Sequence, residues 1–175
     1  MDTSASYPIG RFAYRAKLSP EERAARIEEM RALPALVRSA ASGLSRERLD
    51  TPYRDGGWTI RQVVHHLADS HMNSFMRFKL ALTEDNPRIK PYAQDAWAAL
   101  PDARAADVEF SLGLIEGLHA RWVLLLESLT PADYERTFDH PERGKLTLEY
   151  TLELYAWHGK HHLAHITSLR KRLGW

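Results

Sequence analysis

Residues 147–174, TLEYTLELYAWHGKHHLAHITSLRKRLG, read as one long amphipathic helix. Leu148, Leu152, Tyr155, Gly159, His162, Ile166 and Leu169 recur at alternating steps of four and three, the repeat that lines one helical face. The helix starts near Thr147 and runs to Leu173, where Gly174 stops it. Arg170, Lys171 and Arg172 suit the negative end of its dipole. This apolar face carries His162 at its centre, with His158 beside it.

Three more helices follow from the same pattern. Ser19 caps, Pro20 fits the first helical position and Glu22 completes a capping box, so a helix runs from Pro20 to Ala41, with Gly43 just past it. Pro34 predicts a kink or break within it. Leu44 to Asp50 form a short turn before a Pro52–Gly57 loop. Thr59 caps the second helix, whose stripe is Ile60, Val64, Leu67, His71, Phe75, Phe78 and Leu82. Asn86 to Leu100, with Pro87 and Pro91, is a long connection with one helical turn near Asp95, and a crossing connection fits there. The third helix spans Ala103 to Leu129, its stripe being Val108, Leu112, Ile115, His119, Trp122, Leu126 and Leu129. Residues 131–144 are turn-rich. With no alternating strand pattern, the expected fold is all-α: a four-helix bundle with a long crossing connection, forming one domain over residues 1–175.

Composition narrows the function. A hydrophobic share of 44% with 27% charged residues suits a packed globular core rather than a disordered chain. Lys and Arg number 24 against 23 Asp and Glu, a formal +1, so no broad field attracts a phosphate backbone, and nucleic acid is not an expected partner. No apolar run reaches the roughly 20 residues that span a bilayer, and the opening MDTSASYPIG lacks the basic and apolar parts of a signal peptide. The cytoplasm is the expected compartment, with no membrane partner. Cysteine is absent, so any metal must use His, Asp or Glu.

Seven of the nine histidines are clustered: His65, His66 and His71 in one group, His158, His161, His162 and His165 in another. Residues four apart on a helix lie one turn above each other, so His158 with His162, or His161 with His165, can converge on one ion. The stripe places the first pair inward. Gly159 beside it would leave room for an ion or substrate. A third ligand is expected from the doublet His65–His66, whose members flank the stripe on opposite sides, so periodicity does not choose between them. A lone His on a helix is more often a surface or hydrogen-bonded residue than a ligand, and His71, His140 and His165 are read that way. For the inward pair with the doublet, a metal site and a satisfied polar core compete on spacing alone.

The chain resembles the DinB-like superfamily of four-helix metalloproteins, in particular its YfiT-like branch. The resemblance rests on YPIGRF at 7–12, GWTIRQVVHHLADSHMNS at 57–74 and WHGKHHLAHIT at 157–167. It implies that the first ligand is His66 and that the other two, opening and closing a His-x-x-His-His segment, are His158 and His162. It also implies a homodimer with one divalent ion per subunit, zinc being the expected occupant and nickel the alternative.

Three neutral imidazoles leave a coordination position open, and the implied activity is that of a metal-dependent hydrolase acting on a small-molecule substrate, with the ion activating water. No His-Glu-x-x-His motif supplies a base. Asp69, one turn beyond His66, is the candidate proton acceptor or ring orienter, and Asn73, a further turn on, a candidate for binding polar groups of the substrate. Two alternatives stand beside hydrolysis. One is a thiol S-transferase that activates a low-molecular-weight thiol such as bacillithiol. The other is a non-catalytic bundle with a structural ion, which a fourth ligand from Asp69, His119 or His161 would favour.

Overall fold

The four stripes become four long helices: α1, Pro20–Ala41; α2, Ile60–Thr83; α3, Val108–Ser128; and α4, Leu148–Leu173. The computed structural model describes residues 3–14 and 17–175, so the other four positions of the expected 1–175 domain lie outside the described residues. The capping boxes form. The Glu22 amide donates to Ser19 Oγ at 3.2 Å and the Ser19 amide to Glu22 Oε2 at 2.8 Å. Thr59 and Gln62 do the same for α2, at 3.2 and 2.9 Å. Gly174 closes α4 at φ 69°, a left-handed turn that glycine adopts without penalty. α1 runs through Pro34 without a break.

The extensive contacts join α1 to α3 and α4, and α2 to α3 and α4. α1 therefore lies diagonally from α2, and α3 from α4, so the chain crosses the bundle after α1 and again after α3. The segment between Glu84 and Asp107, long as expected and carrying a helical turn at Gln94–Ala98, links two neighbouring helices and is not the crossing connection expected there, because the diagonal steps fall after α1 and α3.

Two further expectations need correction. The third helix starts at Val108 rather than Ala103, because Ala106 is extended (ψ 157°) and the Asp107 side chain accepts the Glu109 amide as a fresh cap; Pro101–Ala105 forms a separate short helix. The turn-rich 131–144 region holds a short helix, Pro131–Tyr134, followed by a hairpin of β1 (Thr137–His140) and β2 (Gly144–Thr147). Four-residue strands are too short to establish an alternating pattern. Only Phe138 and His140 turn inward, and Gly144 takes φ 71° at the bend. The hairpin also pins the α2–α3 connection: Asp139 donates its amide to the Pro87 carbonyl at 2.9 Å and accepts that of Ile89 at 3.0 Å.

The core falls into two apolar clusters. One gathers Leu33 and Val37 of α1, residues 60–68 of α2, Val108–Ile115 of α3 and Ile166–Leu169 of α4. The other gathers Ile27 and Met30, Phe75–Ala81, Trp122–Leu126 and Leu148–Tyr155. Fully buried Ile60, Leu67, Phe78 and Leu152 each contribute about 1.5–3 kcal/mol. On every helix the gap between clusters falls at the same level, at residues 31–32, 69–74, 116–121 and 156–165. Five buried histidines and the half-buried His158 lie in that gap, with His66 near its edge on α2.

Candidate metal centre

An imidazole buried between two oil-like layers must find a partner, since a stranded polar nitrogen costs roughly 1–3 kcal/mol. In this layer His66, His71, His119 and His158 find other imidazoles, whereas Nδ1 of His161, His162 and His165 is left without a partner among the described residues. His66 Nε2 and His158 Nε2 face each other at 3.2 Å. With His162 they form a trio whose nitrogens all lie within 4.8 Å of one another. His66 and His162 are buried, and His158 is half-buried where it borders a cavity. Trp58, from the loop before α2, packs its ring on His66 and His162 at centroid distances of 4.6 and 6.1 Å.

The doublet divides. His65 turns to α3, with Nδ1 2.7 Å from Ser111 Oγ and Nε2 3.3 Å from the Ala106 carbonyl, so it serves helix packing while His66 enters the trio. Gly159 leaves no room beside the trio, contrary to the expectation: a Cβ there would stand 2.4 Å from Leu33 Cδ2, so α1 fills that space.

Burial holds these rings neutral. Desolvation, with His161 and His165 nearby, lowers His66 to about 4. It also pushes His158 and His162 well below the usual imidazole value. Neutral rings offer lone pairs without first losing a proton, which is the form a cation requires.

Behind His158 runs a chain that spacing did not reveal. His158 Nδ1 lies 3.2 Å from His71 Nε2, His71 Nδ1 lies 2.9 Å from His119 Nε2, and His119 Nδ1 lies 2.7 Å from the Met30 carbonyl. A carbonyl only accepts, so His119 Nδ1 carries the proton and His119 Nε2 accepts from His71 Nδ1. His71 Nε2 then accepts from His158 Nδ1, and the lone pair of His158 is left on Nε2, facing His66. One backbone oxygen of α1 thus sets the tautomer of three rings on three other helices. His71 and His119 are fully buried, and the signal that could have found them is their place within the apolar stripes of α2 and α3.

A second trio, His161, His162 and His165, also brings its nitrogens within 4.8 Å. His165 stacks on Tyr53 at 4.0 Å and donates Nε2–H to the Ser6 carbonyl at 3.4 Å; His161 stacks on Trp157 at 4.5 Å. The two trios share His162, and among the described residues neither includes a carboxylate. Two dications side by side with no anion would repel strongly in so dry a place, so one ion at a time is the physical limit.

Asp69 is half-buried and outside both trios, its carboxyl raised to about 6 by desolvation and by the charge of Asp102. The Asn73 amide donates to the Asp69 carbonyl at 2.8 Å, and Asn73 lines a cavity of about 480 Å³ together with Met76, Leu80 and Trp97. His158 instead borders a neighbouring cavity of about 450 Å³, with Ser70, Tyr92, Tyr155, Arg77 and Arg143 among its walls.

A sequence profile described as the DinB superfamily matches residues 29–166. Proteins of Bacillus cereus and Bacillus thuringiensis, provisionally named metal-dependent hydrolases, are each 56% identical over 169 residues, covering 97% of both chains. The solved structure of YfiT from Bacillus subtilis, described as a "probable metal-dependent hydrolase with an unusual four-helix bundle topology", superposes with a TM-score of 0.96 at 50% identity, over 98% of this chain and 99% of that one. A second solved four-helix bundle protein, at 24% identity and a TM-score of 0.55, covers 85% of this chain and supports the fold alone.

Proposed function

This chain belongs to the DinB superfamily, and from that membership and its converging imidazoles we propose that it is a hydrolase using one divalent metal ion held by His66, His158 and His162. The observation that carries the reading is the 3.2 Å separation of His66 Nε2 and His158 Nε2. Two nitrogens bound tetrahedrally at about 2.0–2.1 Å stand about 3.3 Å apart. All-imidazole donors suit zinc and nickel, as they do iron and copper, and the family resemblance is what puts zinc first and nickel second. When bound, such an ion supplies Lewis acidity that brings the pKa of a coordinated water to roughly 7.

The remaining roles fall to the chain itself. Trp58 and the two apolar clusters exclude bulk water from the rings, which strengthens every charge interaction there. Asp69, poised near neutrality, takes up or returns the proton, and Asn73 binds a polar group of the substrate. The test is to offer the zinc-loaded protein an activated ester such as 4-nitrophenyl acetate, with and without a small thiol. Hydrolysis without thiol that stops on chelation is the expected result. Product formed only when thiol is present would instead mark thiol transfer, and turnover untouched by chelation would sink the metal reading.

For the partner we propose a second copy of this chain. α3 leaves Phe110, Leu114 and Leu124 exposed on one face, at 74%, 45% and 69%, and among the described residues no heavy atom within 4 Å would meet a Cβ at Gly113 or Gly117. An apolar stripe of that kind on a long helix marks an interaction surface. Sedimentation should give a dimer that Phe110→Asp with Leu124→Asp converts to monomer; a monomeric wild type would refute it.

A further inference from the structure

The cavity bordered by His158 holds two guanidiniums that the bundle does not use. Arg77 is half-buried on α2 and Arg143 lies exposed in the bend between β1 and β2. Among the described residues, neither guanidinium has a carboxylate within 4.0 Å or a protein hydrogen-bond partner, the Arg143 backbone amide alone donating to the His140 carbonyl at 3.1 Å, although Asp95 and Glu142 also line the cavity. Most other arginines facing a neighbouring element are engaged: Arg23 on Glu149, Arg61 on Asp50 and Arg136 on backbone carbonyls.

His140 adds a third donor. Its Nδ1 accepts the Glu142 amide at 3.2 Å, which leaves the proton on Nε2 of a ring that lines the same cavity. Burial first, and then the charges of Arg77 and Arg143, bias this ring toward its neutral form. Tyr92 supplies a hydroxyl that burial keeps protonated, its pKa pushed up to about 12. Two unpaired guanidiniums and two neutral donors, with the carboxylates of Asp95 and Glu142, thus line a space that His158 also borders.

Arg77 and Tyr92 also form the wall shared with the second cavity, where Met76, Leu80 and Trp97 present apolar surface. Tyr92 packs on Trp97 at 4.6 Å, which fixes that wall. A molecule spanning both spaces would meet unpaired guanidiniums among polar groups at one end and hydrocarbon at the other.

We propose that the substrate is a small organic anion, its carboxylate or phosphate gripped by Arg77 and Arg143 beside His158, its apolar part in the Met76–Leu80–Trp97 cavity. A guanidinium fork fits either anion, and the neutral rings of the metal centre add no competing charge of their own. The assignment rests on the reading of His158 as a metal ligand, which places the reacting bond in the first cavity, next to the anion.

The test is calorimetric titration of the zinc-loaded protein, its metal content measured beforehand, with 4-phenylbutyrate, 4-phenylbutyramide and phenyl phosphate. Charge-assisted hydrogen bonds predict that the better anion binds about tenfold or more tighter than the amide. The double variant Arg77→Gln with Arg143→Gln should retain its zinc and lose that preference, and whether butyrate or phosphate is the tighter names the anion. Equal binding of anion and amide, no binding of any probe, or a preference that survives in the double variant would overturn the proposal. The last outcome would place the anion on the metal itself and leave the metal site standing, whereas loss of zinc from wild type during purification would count against the site and not the arginines.

Discussion

Alanine at His158 should lower the bound zinc from one ion per chain to less than about a tenth of that, a loss at least as large as the 10–100-fold that removal of a supporting group alone can cause. His66→Ala and His162→Ala should do the same, because a trio reduced to two imidazoles no longer outcompetes water and buffer for the ion. The informative contrast is His161→Ala and His165→Ala. Both residues lie in the overlapping trio, within 4.8 Å of His162, yet neither belongs to the set whose lone pair the backbone orients. These two variants should keep their zinc. Elemental analysis of all five proteins decides it, with circular dichroism to show that the bundle survives. Full metal content in the first three variants would end the assignment. Loss confined to His161→Ala, His165→Ala and His162→Ala would move the ion to the second trio.

The same comparison explains how far sequence could go. The apolar stripes of 60–82 and 148–169 are long, strictly periodic and bounded by caps, so the four helices and the inward direction of His158 and His162 were legible directly. The doublet was not. Adjacent residues on a helix point about 100° apart, and both His65 and His66 flank the stripe, so periodicity left the choice to the family resemblance, and only the position of Ser111 on α3 shows that His65 is engaged elsewhere. The misreading of Gly159 has the same origin. A missing side chain signals room only if no neighbour fills it, and here Leu33, 126 positions away in sequence, does. The hairpin at 137–147 escaped because its pairing is settled by Pro87 and Ile89 as much as by its own residues. What periodicity supplies is the face of each element; which side chains meet across the bundle depends on helix order, and here that order is diagonal.

That dependence is sharpest at His71, where a residue two helices away from Met30 fixes the lone pair offered to the ion. His71→Leu removes the acceptor for His158 Nδ1–H and the donor to His119 Nε2, leaving both nitrogens stranded in a site that excludes water. The freed His158 ring can then exchange tautomers or rotate, and only a fraction of molecules present Nε2 toward His66. Zinc affinity should fall about 10–100-fold, the range that such supporting partners command. Activity at saturating zinc should fall less, since the trio is intact once filled. His71→Gln separates this orienting role from simple packing: a carboxamide can accept from His158 and donate to His119, so it should recover most of the affinity, whereas leucine, which fills the space with hydrocarbon, should not. A competition titration against a chromophoric chelator gives the three values. If leucine and glutamine bind zinc as tightly as histidine, the chain from Met30 merely satisfies buried nitrogens, and the orientation of His158 must come from Tyr155 and Trp122 packing instead.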